Sequence, residues 1–578
     1  YIKDKDKTLY HAIEQRHSPE WRFYASLTNK RYQGARNFVQ KLVSDKITQY
    51  ISHFTFLFDD LGNDVFCINL VNMGDCREVL QGLIRFYVKE LKSDTDLDHL
   101  KRFIINIYSQ SGDYNEFSVL SDQKRLRDYI VTYGKDVEDI GEMALILSKN
   151  IRCYYRDSKE DTYQYAHLTF FEMESSEDQG ASRMDSITTG MALGGLTSGT
   201  PSVLNYDWYK TGFGTKFACK NDLTQMAKAY NAMFRVAFSG SSYEPESAIF
   251  TEISRSEEDQ LGKIYDSSNW VVFVDPKVDL SFFTADRNHQ ELMIIHYSDQ
   301  YTSASGYDDI TVTQKSQQYE DIIREQLKQK GVSADQANIR AIISLFNAIN
   351  GNWLLRLIST KKLAGAVDSN FSREKMSILS AIKFCMAYYA HKDIVWIPIS
   401  LEEMLRVSGG AGYSQKEGLL SAKNLGFEKG ATSDDLLMVG IEGPVDNLKV
   451  YLHPVEVKIG MNPPVVISKA KEQVLATYRG LWNALWPETD GDVLECKLSR
   501  NFLMQMVIVC CEKMKLYNVY PNEHWDLVLE DYREALLNLV MIFAFWSFRK
   551  KWAQNSWSSR PEKLKRSWIN TAAIFLLD

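Results

Sequence analysis

Two charged side chains, separated by one residue, interrupt an apolar run near residue 455. The run KVYLHPVEVKIG, residues 449–460, carries Glu456 and Lys458 among aliphatic and aromatic neighbours. Because side chains alternate across a strand, Glu456 and Lys458 share one face, while Val455 and Val457 share the other. Charges among apolar neighbours are costly unless something pairs them. The pattern therefore predicts a salt bridge at a sheet edge, or a site where Glu456 binds a metal ion and Lys458 a phosphate or water.

A carboxylate beside an ammonium group suits the hydrolysis of a phosphodiester. Mg²⁺ binds one or two carboxylates plus waters, and it supplies hydroxide at neutral pH while stabilising negative charge. A nearby ammonium stabilises the charge that develops in the transition state. An acid-x-Lys triplet alone carries little information, because others begin at Glu90, Asp122, Asp275 and Glu495. The elements around Glu456 must therefore decide its meaning.

The elements before this strand supply further acids. The segment SDDLLMVGI places Asp434 and Asp435 at the start of an apolar strand, and EGPVDNLK after it predicts a hairpin turn. Earlier still, IPISLEEMLRVSG predicts a strand followed by a short helix, with Ser400 as its N-cap and with Glu402 and Glu403 in its first turn. Acids thus stand at the ends of two predicted strands.

An amphipathic helix is predicted directly after the Glu-x-Lys strand. The segment SKAKEQVLATYRGLWNALW carries Lys469, Gln473 and Tyr478 among apolar residues at helical spacing. The order along the chain is then a helix with acids, a strand that begins with Asp, a strand with Glu-x-Lys, and a helix with Gln.

This order of elements resembles the PD-(D/E)xK nuclease core, especially its RecB-like branch, over residues 366–495. The resemblance implies an α/β core with a mixed sheet flanked by helices, and a site for Mg²⁺ or Mn²⁺. Carried over, it makes Asp435 and Glu456 metal ligands with catalytic roles and Lys458 the catalytic lysine that positions or activates water. Gln473 corresponds to the family's glutamine on the following helix.

Three positions are less directly assigned by the resemblance. Asp435 matches the family's Asp-Leu pattern better than Asp434, because it directly precedes the apolar strand. The helical acid that completes the metal shell is expected at Glu403, with Glu402 an equal alternative. Tyr478 lies one residue farther along than the family's Q-x-x-x-Y spacing requires.

Longer runs resemble the family of H subunits of the DNA phosphorothioation-dependent restriction system, the Dpt system. They include VLNYDWYKTGFGTKFACKNDLTQMAKAYNAMF, SNWVVFVDPKVDLSFF and IIHYSDQYTSASGYDDITVT. The resemblance implies an antiviral restriction complex that cleaves double-stranded DNA lacking the phosphorothioate mark. It also implies F-type and G-type partner subunits, and a HerA/FtsK-like ATPase.

The nucleotide site of such an ATPase is not found in the sequence. GGLTSGT, residues 194–200, has the glycine spacing of a phosphate-binding loop, but Thr200 stands where a lysine is needed. TGFGTKF, residues 211–217, has a lysine at the wrong spacing. ATP is therefore expected only if a motor domain exists outside these residues.

The length of the chain predicts several domains. A chain of 578 residues exceeds what one hydrophobic core usually organises. We expect a helix-rich multidomain α+β protein with five segments: a helical N-terminal domain at 1–175, a mixed α/β domain at 176–310, a helical connector at 311–365, the nuclease-like domain at 366–495, and a helical C-terminal segment at 496–578.

Net charge and cysteine content indicate how the protein would bind DNA and where it is located. The net charge of −8 means that DNA would bind through a local patch or a basic partner. The eight cysteines contain no CxxC pair, which favours reduced thiols and a cytoplasmic location. The apolar run LLNLVMIFAFWSF, residues 536–548, is too short to span a bilayer and predicts a core helix, so no membrane partner is expected.

A non-catalytic hypothesis accounts for the same elements. The nuclease-like core would then be a DNA-binding or assembly module, and the helical flanks would hold partner proteins. An active site needs the oxygens of Asp435 and Glu456 within roughly 4 to 5 Å of each other, since Mg–O bonds are about 2.1 Å. A Lys458 locked to Glu456 and covered by a helix would favour the scaffold.

Overall fold

In the computed structural model of the chain, a large part of the sequence is described. The described residues are 2–4, 7–14, 22–26, 37–182 apart from short gaps in the loops, 199–204, 208–213, 248–254, 258–274, 282–283, 292–297, 309–329, 331–350, 353–354, 369–402, 404, 435–459, 462–485, 494–537, 541–543 and 573–577.

The strands and helices alternate through most of these residues. The strands are β1 (Ile2–Asp4), β2 (Lys7–Glu14), β3 (Arg22–Ser26), β4 (Val65–Val71), β5 (Arg102–Ser109), β6 (Ile151–Asp157), β7 (Ala166–Phe171), β8 (Ser176–Ser182), β9 (Gly199–Leu204), β10 (Trp208–Phe213), β11 (Ala248–Ser254), β12 (Ser268–Val274), β13 (Met293–Tyr297), β14 (Asp309–Thr313), β15 (Ile394–Ser400), β16 (Leu436–Glu442), β17 (Leu448–Ile459), β18 (Met541–Phe543) and β19 (Ala573–Leu577). The α-helices are α1 (Asn37–His53), α2 (Arg77–Lys92), α3 (Gln123–Tyr133), α4 (Ile140–Asn150), α5 (Glu258–Ser267), α6 (Gln317–Gln329), α7 (Gln336–Ile349), α8 (Ser369–Tyr388), α9 (Pro464–Leu485), α10 (Leu494–Leu516), α11 (Asn522–Asp526) and α12 (Arg533–Leu537).

The larger sheet is mixed and has the order β13-β14-β12-β7-β4-β5-β6. The five strands from β12 to β6 are parallel, and β14 and β13 extend the sheet antiparallel at one edge. Strands β4, β7 and β12 are apolar on both faces, which is expected for parallel strands covered on both sides. Helices thus flank a mixed seven-stranded sheet, in line with a helix-rich α+β protein.

Helices cover the two faces of the larger sheet. On one face α1 packs against α2, and Gly82 permits the close approach because a Cβ there would lie 2.7 Å from the Cβ of Val43. On the other face α5 buries Leu261 and Ile264 against Phe171 and other aromatic and aliphatic residues. The two hydrophobic clusters together bury the sheet.

Two smaller antiparallel sheets accompany the larger one. Strands β1, β2 and β3 form one of them in that order. The other has the order β8-β11-β10-β9 and comes from the segment between β7 and β12.

The second mixed sheet contains the Glu-x-Lys strand. Strands β15, β16 and β17 form an antiparallel meander, and β18 and β19 each pair with β17 in parallel. The turn from β16 to β17 begins at Gly443, whose φ of 113° is a conformation that side-chain-bearing residues rarely adopt. The hairpin expected from EGPVDNLK is therefore present.

Helices α8, α9 and α10 pack against this second sheet. Helix α7 contacts both β13 and β15, and Asn347 donates a hydrogen bond of 2.8 Å to the carbonyl oxygen of Ile294. Buried residues of both mixed sheets belong to one continuous hydrophobic cluster. The second sheet is therefore packed against the rest of the described chain.

The segments differ from those expected from sequence in three places. Strands β4–β7, within the expected helical domain 1–175, share a sheet with β12–β14, whereas 175/176 was expected as a boundary. Strands β18 and β19 of the expected helical segment 496–578 pair with β17. The apolar run expected as one core helix contains the end of α12 and then β18. Local periodicity does not report pairing between distant strands.

Within the described residues, no helix combines the length and the hydropathy that crossing a membrane requires.

Candidate active site at the β16–β17 hairpin

The hairpin brings Asp435 and Glu456 side by side. Asp435 directly precedes β16, and the register pairs Leu436 with Val455. The amide of Val457 donates a hydrogen bond of 2.7 Å to Oδ2 of Asp435. Antiparallel pairing alone therefore places the aspartate next to the Glu-x-Lys triplet, although 21 residues separate the two acids.

Glu456 and Lys458 lie on the same face of β17 and form an ion pair between Oε1 and Nζ. The side chain of Glu456 is 5% exposed and that of Lys458 is 26% exposed. Oε2 of Glu456 is buried and has no hydrogen-bond partner within the described part of the chain. A buried carboxylate oxygen without a donor is destabilising, so this position suits a cation or a further donor.

Burial and crowding shift the two carboxylates toward protonation. Burial, with the charge of Glu456 beside it, raises the pKa of Asp435 to about 7, and the Val457 amide partly opposes the shift. Burial also raises the pKa of Glu456, although Lys458 opposes that rise. Two desolvated carboxylates that repel each other thus hold negative charge that a proton or a cation would relieve.

A third acid, Glu374, acts on both carboxylates from α8. Its charge raises the pKa of Asp435 and that of Glu456. Helix α8 runs across the sheet in contact with β15, β16 and β17. Glu374 was not predicted, because the helical acid was expected after the strand that forms β15. The segment SREKMSILS, on the helix before the first strand of the sheet, was the available signal.

Glu402, one of the two helical acids expected from sequence, pairs with a lysine. Oε2 of Glu402 lies 2.8 Å from Nζ of Lys375 on α8. Nζ of Lys375 also lies 2.8 Å from Oε1 of Glu374 and 4.6 Å from the centre of the Trp353 ring. Glu402 thus meets a lysine rather than the two carboxylates. Glu403 and Asp434 lie outside the described residues.

The glutamine expected in the site, Gln473, lies on α9, which packs against β17. Gln473 is half-buried, and within the described chain it makes no hydrogen bond to Asp435, Glu456 or Lys458. Tyr478, further along α9, packs against the hydrophobic cluster. The structure therefore brings together Asp435, Glu456 and Lys458, and leaves Gln473 at the adjacent helix.

The donor set of this site fits a hard divalent cation. In the described ranges, no group of three or more His, Cys, Asp or Glu side chains is arranged to hold a metal ion. Mg²⁺ does not need three such ligands, because it commonly takes one or two carboxylates and completes its shell with water. Asp435 and Glu456 supply two carboxylates, and the buried Oε2 of Glu456 is available. They are the residues that would hold Mg²⁺ or Mn²⁺.

Comparison with known proteins adds no family to this geometry. No protein-family model matches the chain, and no curated protein matches it.

Proposed function

We propose that this chain hydrolyses phosphodiester bonds of DNA by a metal-dependent, PD-(D/E)xK-type mechanism. The observation that carries the proposal is the pair of adjacent buried carboxylates, Asp435 and Glu456, with one oxygen lacking a donor and Lys458 on the same strand face. Structural ion pairs seldom gather acids in excess of their counter-ions, because like charges repel in a desolvated site.

The order of the surrounding elements supports the same class of enzyme. Helix α8 precedes the meander β15-β16-β17, helix α9 follows it, and β19 pairs in parallel with β17. This is a mixed sheet with helices against it, as the resemblance to PD-(D/E)xK nucleases implies. The acids lie at the end where β16 begins and β17 approaches its end.

Each side chain has a role that its position allows. A divalent cation held there would supply Lewis-acid stabilisation and a reactive water. Asp435 and Glu456 hold and orient the cation through oxygens that are already desolvated. Lys458 is partly exposed, so its ammonium group can leave Glu456 and bind a water or a phosphate oxygen. There it stabilises the negative charge on that oxygen. Glu374 adds negative charge that favours cation uptake.

The wider role we propose is that of a nuclease subunit in an antiviral DNA restriction complex. It rests on the resemblance to the H subunits of the Dpt system, which implies F-type and G-type partners, and ATP only if a motor domain exists outside these residues. The net charge of −8 favours DNA binding through a local patch or a partner. Sulfur is softer than oxygen and binds Mg²⁺ poorly, but sparse phosphorothioates protect a genome only if a partner or another domain senses them.

A scaffold is the second candidate, and one observation favours it. Lys458 already pairs with Glu456, so the charges of the Glu-x-Lys strand satisfy each other in part. The partial exposure of Lys458 favours the nuclease, because a fully covered lysine could not reach a phosphate.

Cleavage of plasmid and linear DNA in Mg²⁺ or Mn²⁺ tests the proposal. The wild type is compared with Glu456→Ala and Lys458→Ala, with and without partner subunits and ATP, on marked and unmarked DNA. Lys449→Ala is the matched control, because Lys449 is an exposed lysine on the same strand.

If the chain is a nuclease, the wild type and Lys449→Ala should cut unmarked DNA. Glu456→Ala and Lys458→Ala should bind DNA without cutting it. Equal behaviour of all four proteins under every condition would show that the Glu-x-Lys strand is architectural and that the chain is a scaffold.

A further inference from the structure

Helix α8 buries a lysine where its pattern calls for an apolar residue. The buried stripe that faces the sheet continues through apolar residues, and Lys375 stands at its first position. The stripe consists of Lys375, Ile378, Leu379, Ile382, Cys385 and Met386. The spacing i, i+3, i+4, i+7 places Lys375 on the face that packs against the strands.

The ammonium group of Lys375 is fixed by three partners. Its Nζ lies 2.8 Å from Glu374, 2.8 Å from Glu402 and 4.6 Å from the centre of the Trp353 ring. Neighbouring residues on a helix point about 100° apart and do not normally meet. The contact between Lys375 and Glu374 therefore draws the carboxylate of Glu374 toward the sheet.

The partners of Lys375 do not need it for their own solvation. The side chains of Glu374 and Glu402 are 53% and 47% exposed, whereas that of Lys375 is 7% exposed. Replacing a buried ion pair by apolar residues is often neutral or stabilising, and here the two carboxylates would stay solvated if Lys375 became apolar. Burial opposes the charge of Lys375, but Glu402 and Glu374 raise its pKa, so the ammonium group stays charged at this position.

The lysine is linked to the candidate site through the backbone. Glu402 follows Leu401, whose amide donates a hydrogen bond of 3.3 Å to the carbonyl oxygen of Asp435. One lysine therefore connects Glu374 on α8 with the segment that carries Asp435.

We infer that Lys375 is a positioning residue, which fixes Glu374 and the segment of Asp435 so that Asp435 and Glu456 are arranged for a divalent cation. The inference rests on the proposed metal site. Lys375 acts through the two carboxylates it holds and does not contact the substrate.

Binding of Mn²⁺ to the full chain, measured by electron paramagnetic resonance, tests this inference together with DNA cleavage and the melting temperature. The variants are Lys375→Met and Lys375→Arg. The control is Lys383→Met, which replaces an exposed lysine on the same helix. We expect Lys375→Met to weaken Mn²⁺ binding about tenfold or more, as the loss of a group that orients metal ligands does. Its melting temperature should not fall, Lys375→Arg should recover most of the affinity, and Lys383→Met should match the wild type.

Several outcomes would overturn the inference. Lys375→Met could bind Mn²⁺ as the wild type does, with or without a lower melting temperature, or Lys375→Arg could bind as weakly as Lys375→Met. A wild type that binds no Mn²⁺ also overturns it. A wild type that binds Mn²⁺ without cutting DNA would refute the nuclease alone, because the affinities of the variants still decide the role of Lys375.

Discussion

Each of the two mixed sheets holds a lysine–carboxylate pair, and the two pairs differ in their surroundings. In the larger sheet Lys46 of α1 lies 2.6 Å from Asp309 of β14, and each side chain is 2% exposed. Oδ2 of Asp309 also accepts a hydrogen bond of 2.9 Å from Thr311. In the second sheet the partly exposed Lys458 pairs with Glu456, beside Asp435 and within the electrostatic reach of Glu374.

The difference separates an ion pair that stabilises a fold from one that is suited to chemistry. The pair Lys46–Asp309 is closed to solvent. The cluster around Glu456 gathers three acids with Lys458 and Lys375, leaves one carboxylate oxygen without a donor, and exposes Lys458 in part. Burial alone is thus a weak sign of function, whereas uncompensated charge at an accessible position is a stronger one.

The largest expected effect is the loss of stability when the pair Lys46–Asp309 is broken. Lys46→Met removes the ammonium group that lies 2.6 Å from the buried Asp309, and should lower the free energy of unfolding by about 3 to 5 kcal/mol. Urea denaturation measures this, with Lys41→Met as the control on an exposed position of the same helix. A loss below about 1 kcal/mol would contradict the assignment of this pair to stability.

A smaller change in free energy is expected when the cluster around Glu456 loses an acid. Asp435→Asn should lower the rate of DNA cleavage by about a hundredfold or more, because the site loses a charged ligand. The folded protein should be no less stable at neutral pH, since one of two crowded acids is gone. Single-turnover cleavage measures the rate, and Asp446→Asn in the exposed hairpin turn is the control. An unchanged cleavage rate would show that the cluster around Glu456 has only a structural role.

The smallest effect is a difference in how stability depends on pH. Asp435 has a pKa of about 7 in the folded protein, against an ordinary value near 4 in the unfolded chain. The folded state binds the proton more tightly, so Asp435 makes the protein lose stability as pH rises from about 4 to about 7. Asp435→Asn should remove this decline over the same pH window. Urea denaturation in EDTA at several pH values measures it.

A histidine of the larger sheet gives the opposite slope and serves as the comparison. Burial and the nearby Lys315 lower the pKa of His167 to about 4, and Nδ1 of His167 accepts a hydrogen bond of 2.9 Å from the amide of Cys67. The unfolded chain binds that proton more tightly, so stability is lost as pH falls from about 6.5 to about 4. His167→Gln should weaken this acid-side loss. If stability depends on pH equally in Asp435→Asn, His167→Gln and the wild type, the pKa assignments of Asp435 and His167 are both refuted.

Local rules were enough for the centre of the candidate site. Alternation along a strand put Glu456 and Lys458 on one face, and Gly443 with the polar residues after it marked the turn that brings Asp435 beside them. Both follow from contacts between residues close in the chain. The expectation for the helical acid failed to include Glu374, because 61 residues separate it from Asp435 and only the packing of α8 brings it near.

The larger sheet was not foreseen for a related reason. Apolar runs such as VFCINLV and AHLTFF are compatible with a strand or with part of a buried helix, and parallel strands pair across long crossovers. The same holds for β18 and β19, whose pairing with β17 joins residues more than 80 positions apart.

The sequence by itself thus determined the hairpin, the shared face of Glu456 and Lys458, and the placement of Asp435 at the start of its strand. Only the tertiary structure decided that Glu374 acts on the two carboxylates, that Lys375 is buried between Glu374 and Glu402, and that one oxygen of Glu456 lacks a donor. Such properties depend on desolvation and on contacts between distant segments, and neither is encoded in the spacing of neighbouring residues.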